Sequence, residues 1–328
     1  MKGFKLFLFD LFFIISSIVG VGFATGKEIA HFFLSGKSVV LSVVVFFCVF
    51  VALTIYILHI KHKHNITNLT QLNKFAFGKY CEIGNIVLII LFIVTNSAML
   101  AGCDNIVRNY LGIGLPIVSL FLSIVTFFIV LGGVTRIKQI ANIVVPILIS
   151  IILINACANF DTNFTLNGNI AIDIAYPIIF CSENFITLIS VLINTKSKPK
   201  GLAIVSGAII SLIILLSAFA IGNLNADMPM LSLSKNLDNI FFGLYLMGVI
   251  FALFTTLEIS SYHCLEVSMK SKRNKLFIVA MILLTSQILA YLGFNFIVQY
   301  LYSAIGILGA VYLIALIVKL IIIDKKFK

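Results

Sequence analysis

Residues 16–28 combine, inside one apolar stretch, the residue types that could bind a small solute within a membrane. The segment reads Ser16-Ser17-Ile18-Val19-Gly20-Val21-Gly22-Phe23-Ala24-Thr25-Gly26-Lys27-Glu28 and places three glycines within seven residues. Because each glycine weakens a helix by about 1 kcal/mol relative to alanine, we predict a helix that is interrupted here. Irregular backbone at membrane depth is tolerated where protein covers it or where it lines a cavity. The interruption is therefore a candidate for one half of a substrate site.

A second candidate interruption lies about 155 residues later, in another apolar stretch. There the sequence reads Ala175-Tyr176-Pro177-Ile178-Ile179-Phe180-Cys181-Ser182-Glu183-Asn184. Pro177 removes a backbone donor and clashes with the preceding turn, and three polar residues follow it where apolar ones are expected. A matched pair of interrupted spans in two halves of a chain is typical of a secondary transporter's binding site. The alternative is a pair of kinks that serve only helix packing.

Unwound backbone would expose amide and carbonyl groups, and the half-helix after the first break would turn its partly positive N-terminus toward a substrate anion. Carboxylates inside a membrane are costly and usually functional, so those near the breaks could pair an amine or carry a proton. Asp10 and Glu266 are expected at the membrane interface instead. The predicted substrate-binding residues are Val19, Gly20, Gly22, Phe23, Ala24, Thr25, Glu28, Asn96, Ile178, Phe180, Ser182, Glu183 and Glu258.

The composition identifies the class of protein. Of 328 residues, 61% are hydrophobic and only 11% are charged, and the mean hydropathy is +1.16. Many apolar runs approach the roughly 20 residues that a transmembrane helix needs, which predicts an all-α polytopic protein whose main partner is the lipid bilayer. The net charge of +11 is interpreted as topogenic charge on loops, with no nucleic-acid partner. The cysteines are scattered singly, which favours neither a disulfide framework nor a zinc site.

The apolar runs predict ten spans in one transporter domain covering 1–328. Five spans in each half would make an inverted repeat, with repeat one at about 6–157 and repeat two at about 169–322. The first and sixth spans are predicted to be discontinuous. The spans are placed at about 6–34, 38–60, 84–108, 114–132, 140–157, 169–194, 201–222, 238–263, 276–294 and 296–322.

The positive charges agree with this arrangement. Of the 23 Lys and Arg residues, all but Lys27, Lys37, Arg108 and Lys235 fall on connections that ten crossings assign to one side. By the positive-inside rule that side is the cytoplasm, and both termini lie there. An error of one span would destroy the alternation.

The stretch Gly20-Val21-Gly22-Phe23-Ala24-Thr25-Gly26-Lys27-Glu28-Ile29 resembles the first span of the YkvI-like bacterial membrane proteins. These are similar to the amino acid–polyamine–organocation (APC) superfamily, with the LeuT-type five-plus-five fold. The resemblance implies a multi-pass transporter of the bacterial inner membrane. Val21 stands where a small residue is usual, and Lys27 where a glutamine is more usual, so the resemblance does not identify the solute.

In sodium-coupled LeuT-type transporters, an eighth-span carbonyl and two adjacent hydroxyls bind sodium together with two first-span carbonyls. By this resemblance the sodium ligands here would be Ser16, Val19, Ala252, Thr255 and Thr256. Five oxygen atoms suit a hard cation. The alternatives are that the threonines bond their own helix, or that Ser260-Ser261 is the correct register.

These features predict a secondary active transporter of a small organic solute such as an amino acid or an amine. The sequence lacks the GxxxxGK[ST] loop of ATP-binding proteins, so a sodium or proton gradient would drive transport, and no cofactor is expected. Enzyme motifs such as HExxH and GxSxG are also absent. The alternative is a channel or a membrane protein that transports nothing. The oligomeric state stays open.

Overall fold

The computed structural model describes residues 2–112, 114, 116–197, 199–222, 224–226, 228–269 and 274–326. Within these ranges the chain forms helices joined by turns and loops, with no β-strand. The α-helices are α1 (Lys2–Ile18), α2 (Val21–Ala24), α3 (Lys27–Phe33), α4 (Val39–His64), α5 (Leu69–Phe77), α6 (Cys81–Leu111), α7 (Ile117–Leu131), α8 (Val134–Ala158), α9 (Ile170–Ile193), α10 (Pro199–Ile221), α11 (Pro229–Ser234), α12 (Asn239–Ser268), α13 (Lys275–Ala290), α14 (Phe294–Phe296) and α15 (Ser303–Lys326).

Helical segments occupy each of the ten stretches where the sequence predicts a span. Among the described residues, six helices are long and apolar enough to cross a bilayer, including α4, α8 and α12. Others, such as α7 and α13, are apolar but shorter. The polytopic all-α class is therefore confirmed, whereas the count of ten crossings stays a prediction.

The predicted break in the sixth span is wrong, because α9 is helical from Ile170 to Ile193 with Pro177 inside it. Proline costs the helix one backbone hydrogen bond, here the one to the Asp173 carbonyl, and membrane helices tolerate such a loss. Just after Pro177, Ser182 Oγ donates to the Ile178 carbonyl (2.9 Å) and Asn184 Nδ2 donates to the Phe180 carbonyl (3.0 Å). Two of the three polar residues that suggested a break, Ser182 and Asn184, instead bond to their own helix.

The chain divides into two compact units, each assembled from both halves of the sequence. The first unit comprises Met1–Ile57, Lys138–Asn184 and Lys196–Ala252, and the second comprises Leu58–Ile137, Phe185–Thr195 and Leu253–Lys328. In the second unit α6 packs against α7 and α13. Buried polar contacts join its helices, including those of Asn73 Nδ2 with Asn85 (2.7 Å) and Tyr312 Oη with Asn73 (2.5 Å).

Within the first unit, Asp173 of α9 caps the start of α4. Its carboxylate is fully buried and accepts hydrogen bonds from the Lys37 and Ser38 amides, each at 3.0 Å to Oδ2, and from Ser42 Oγ at 2.9 Å to Oδ1. A carboxylate at this position satisfies orphan donors and complements the positive end of the helix dipole. Gly36 is required here, since a Cβ atom would lie 1.8 Å from Asp173 Oδ1.

Asp10 of α1 makes the reciprocal contact, just ahead of α10. It is fully buried within the protein, where polar groups surround it. Its Oδ2 accepts from the amides of Lys196 (2.8 Å) and Ser197 (2.9 Å), and Lys138 Nζ lies 2.5 Å from Oδ1. Thus Asp10 of the first predicted span bonds the segment that precedes the seventh span. Asp173 of the sixth span bonds the segment that precedes the second span. This exchange is the relation expected between two five-span repeats.

Replacing Asp173 with alanine should destabilise the protein by about 2–3 kcal/mol, because the buried amides of Lys37 and Ser38 lose a charged acceptor. Thermal unfolding of the detergent-solubilised protein would measure this as a lower Tm. Asp161→Ala serves as the control, since the Asp161 side chain is exposed and, among the described residues, accepts only from the nearby Asn163 amide. It should change stability by less than about 0.5 kcal/mol. Equal Tm values for the two variants would contradict the capping role.

Candidate functional site

The first predicted span is interrupted at the glycines. Helix α1 ends at Ile18, the single turn α2 begins at Val21, and α3 begins at Lys27. Gly20 is extended between α1 and α2, with φ −92° and ψ −164°. Gly26 takes a left-handed conformation (φ 81°) before α3, which favours glycine. The interruption thus coincides with the glycines that predict it.

Groups from elsewhere in the first unit bond the freed backbone after the interruption. The Tyr245 hydroxyl of α12 donates to the Ala24 carbonyl at 2.7 Å, and the Met230 amide of α11 donates to the Thr25 carbonyl at 3.0 Å. Asn155 Nδ2 of α8 in turn donates to the Met230 carbonyl at 2.7 Å. These bonds fix α2 and the following turn, because the two carbonyls would otherwise lack hydrogen-bond donors in an apolar interior.

The carbonyls before the interruption have fewer partners. The Val19 amide donates to Ile15 O and the Gly20 amide to Ile18 O, both at 2.9 Å. Within the described part of the chain, no backbone amide donates to the carbonyl oxygen of Ser16, Ser17 or Val19. The side chains of Ser16 and Ser17 point back along their own helix, where each donates to the carbonyl three residues earlier. These three carbonyl oxygens therefore have no backbone donor among the described residues, and the residues themselves are buried.

The carboxyl group of Glu28 lies over the Cα atom of Gly22. A Cβ atom at Gly22 would be 2.2 Å from Glu28 Oε1, so only glycine leaves enough room for the carboxyl group at this position. Glu28 is half-buried and Glu183 of α9 is exposed, and their carboxyl groups are near enough to interact electrostatically. Among the residues that the structure describes, neither carboxyl group forms an ion pair.

An aromatic cluster fastens α3 to α9 and to α4. Phe180 is fully buried, and its ring centroid lies 5.5 Å from Phe32, 5.4 Å from Phe33 and 5.7 Å from Phe46. Such ring separations are favourable for aromatic pairs. Because Glu28 is one turn before Phe32 and Glu183 one turn after Phe180, this packing positions both carboxyl groups.

The other predicted substrate residues of the first unit differ in exposure. Val19, Phe23, Ala24 and Thr25 are buried, and the carbonyls of Ala24 and Thr25 already accept hydrogen bonds from Tyr245 and Met230. Ile178 is 40% exposed, whereas Ser182 bonds its own helix. Their role in binding stays a prediction. Helix α2 has one turn only, so its dipole offers little to an anion.

The remaining predicted residues lie in the second unit or divide between the units. Asn96 and Glu258 belong to the second unit and are fully buried. Of the predicted sodium ligands, Ser16, Val19 and Ala252 belong to the first unit and Thr255 and Thr256 to the second; all five are buried. The sodium site stays a prediction.

Sequence reasoning missed the three residues that hold the interruption: Tyr245, Met230 and Asn155. Tyr245 is one polar atom in a long apolar run, and Met230 contributes only its backbone. Asn155 did carry a signal, being an amide inside an apolar span, which usually marks a hydrogen bond between helices. Nothing in the local sequence indicates which carbonyl each one bonds.

Comparison with known sequences finds uncharacterised relatives. No family model matches the chain. It is 23% identical over 336 aligned residues to the uncharacterized membrane protein YkvI of Bacillus subtilis, covering 94% of each chain. It is also 26% identical to the uncharacterized protein YyaD of the same organism, over 58% of this chain and 56% of that one. The resemblance to YkvI-like proteins is thereby confirmed.

Comparison with solved structures finds transporters. A Na⁺-coupled sialic acid symporter in a substrate-bound, outward-open state superposes with a TM-score of 0.71, at 13% identity, over 95% of this chain and 78% of that one. Mhp1, a nucleobase-cation-symport-1 family transporter in a closed conformation, gives a TM-score of 0.54, at 14% identity, over 93% and 76%. The chain therefore shares the LeuT-type fold of these two proteins.

Proposed function

We propose that this protein is a secondary active transporter that couples a cation gradient to the movement of a small organic solute by alternating access. The solute would bind at the interruption between α1 and α2, and an amino acid or an amine is the proposed class. A solute with a positively charged nitrogen could pair with Glu28 and Glu183, while the free carbonyls of Ser16, Ser17 and Val19 offer further acceptors.

The observation that carries this proposal is the interrupted helix together with the bonds that hold it. Tyr245 and Met230 each bond a specific carbonyl after it, so the interruption is held in a defined conformation. Discontinuous helices at mid-membrane form the substrate and ion sites of many secondary transporters. Both named structural neighbours are cation-coupled symporters, which supports the same mechanism here.

The direct test is uptake by the purified protein reconstituted in liposomes. A set of radiolabelled amino acids and small amines would be offered under an inward sodium gradient, an inward proton gradient, or neither. We expect at least one solute to accumulate only when a cation gradient is present, and an ionophore that collapses the gradient should abolish the accumulation. The proposal would be contradicted if uptake were the same with and without the cation gradients. It would also be contradicted if no solute were taken up beyond the level of protein-free liposomes.

Replacing Gly22 with alanine should impair transport and leave the fold intact. The new Cβ atom would displace the flexible carboxyl group of Glu28 rather than backbone, so we expect roughly tenfold slower uptake, equivalent to about 1.4 kcal/mol, with little change in Tm. Gly243→Ala is the matched control, because no atom lies within 4 Å of a Cβ at that position. Wild-type uptake by Gly22→Ala would exclude Glu28 from the site.

A further inference from the structure

A buried carboxyl group without any partner lies on α12 in the second unit. Glu258 has no exposed surface, and neither Oε1 nor Oε2 has a hydrogen-bond partner among the described residues. A buried ionised carboxylate that nothing neutralises is very costly, and ionisable groups inside membrane proteins usually mark ion or substrate paths. No hydrogen bond among the described residues involves this carboxyl group, which favours a functional rather than a structural role for it.

The same face of α12 carries a second unused oxygen. Ser261 is one turn beyond Glu258, and its hydroxyl is buried with no partner in the described structure. Residues three apart on a helix have Cβ atoms about 5–6 Å from each other, so one small ion can contact both side chains.

The neighbouring face of α12 differs, because its polar group is fully used. Ser260 Oγ donates to Asn96 Oδ1 of α6 and lies 2.7 Å from the Thr256 carbonyl oxygen. At about 100° per residue, Ser260 points well away from Glu258. On α12 the oxygens of Glu258 and Ser261 lack partners among the described residues, as does His263 Nε2 on another face, whereas Ser260 is fully bonded.

No cationic side chain of the described second unit neutralises Glu258. On α12 itself His263 is five residues from Glu258, and its Nδ1 is paired with Glu266 at 2.9 Å. On α6, which packs against α12 at Asn96, the sequence has no titratable residue between Glu82 and Cys103. These residues offer no positive charge to an ionised Glu258, so a bound cation would supply it.

We propose that Glu258 and Ser261 bind a monovalent metal cation, with sodium as the natural candidate. The inference rests on the proposed function and deepens it by assigning the coupling cation to these two side chains. The carboxylate supplies two oxygen atoms and a full negative charge, and the hydroxyl supplies a third oxygen. Hard cations prefer such ligands, and the charge of the ion offsets the burial of the carboxylate. This assignment differs from the neutral set that includes Thr255 and Thr256.

The test is sodium-dependent thermal stability of the purified full-length protein, with choline as the replacement cation and no solute present. A ligand that binds only the folded state raises Tm, so sodium at about ten times its Kd should raise the wild-type Tm by roughly 3 °C. Glu258→Gln should lose this shift and should be no less stable than wild type in choline, because it removes the buried charge. Glu266→Gln, a carboxyl variant on the same helix, should keep the shift.

Other outcomes overturn the assignment. If Glu258→Gln keeps the full sodium shift while Thr256→Val loses it, the neutral hydroxyl set is the site. If wild type responds to pH but not to sodium, the occupant is a proton. Sodium-driven uptake by Glu258→Gln with wild-type dependence on sodium concentration would also refute the assignment while leaving the proposed transport function standing. No uptake by wild type under any gradient would instead overturn the transport function.

Discussion

The structure depends on how the backbone amides and carbonyls are hydrogen-bonded where helix α1 ends. Inside an apolar environment each unpaired amide or carbonyl costs free energy comparable to a lost hydrogen bond, so an interrupted span persists only if other groups complete it. Here Tyr245 and Met230 bond the carbonyls of Ala24 and Thr25, and Asn155 fixes Met230. On the other side of the interruption, no backbone amide of the described residues donates to the carbonyls of Ser16, Ser17 or Val19. The two sides of the interruption therefore differ in how their carbonyls are hydrogen-bonded.

Two buried aspartates satisfy unpaired backbone amides elsewhere in the first unit in the same way. Asp10 and Asp173 each bond backbone amides ahead of a helix from the opposite half of the sequence. A charged acceptor of this kind is worth more than a neutral one, and it cannot be exchanged for an apolar contact without leaving amides unpaired. The reciprocal arrangement means that the two halves hold one another in place, while the interruption of α1 lies within the unit they define.

Much of the fold could be predicted from sequence, because hydropathy and glycine content act locally. The helices fall on the predicted spans, and α1 ends at Ile18, immediately before the first of the glycines that predicted the interruption. Pro177 misled the prediction, since a proline removes one hydrogen bond but does not by itself end a membrane helix, and Ser182 and Asn184 bond the carbonyls of their own helix nearby. Glu28, whose role in binding stays a prediction, was singled out because a carboxylate in an apolar run is costly. Tyr245 was not, since its importance lies in a partner 221 positions away.

The most direct test of the central claim is residue-resolved hydrogen–deuterium exchange of the protein in lipid nanodiscs. The amides of Val21, Gly22 and Phe23 open the one-turn helix α2 and have no acceptor within it. We expect them to exchange faster than the amides of 11–15 within α1. Tyr245→Phe should speed exchange across 19–26 and leave 11–15 unchanged. Equal protection of the two segments would mean that the first span is a continuous helix, and it would contradict both the interruption and the site built on it.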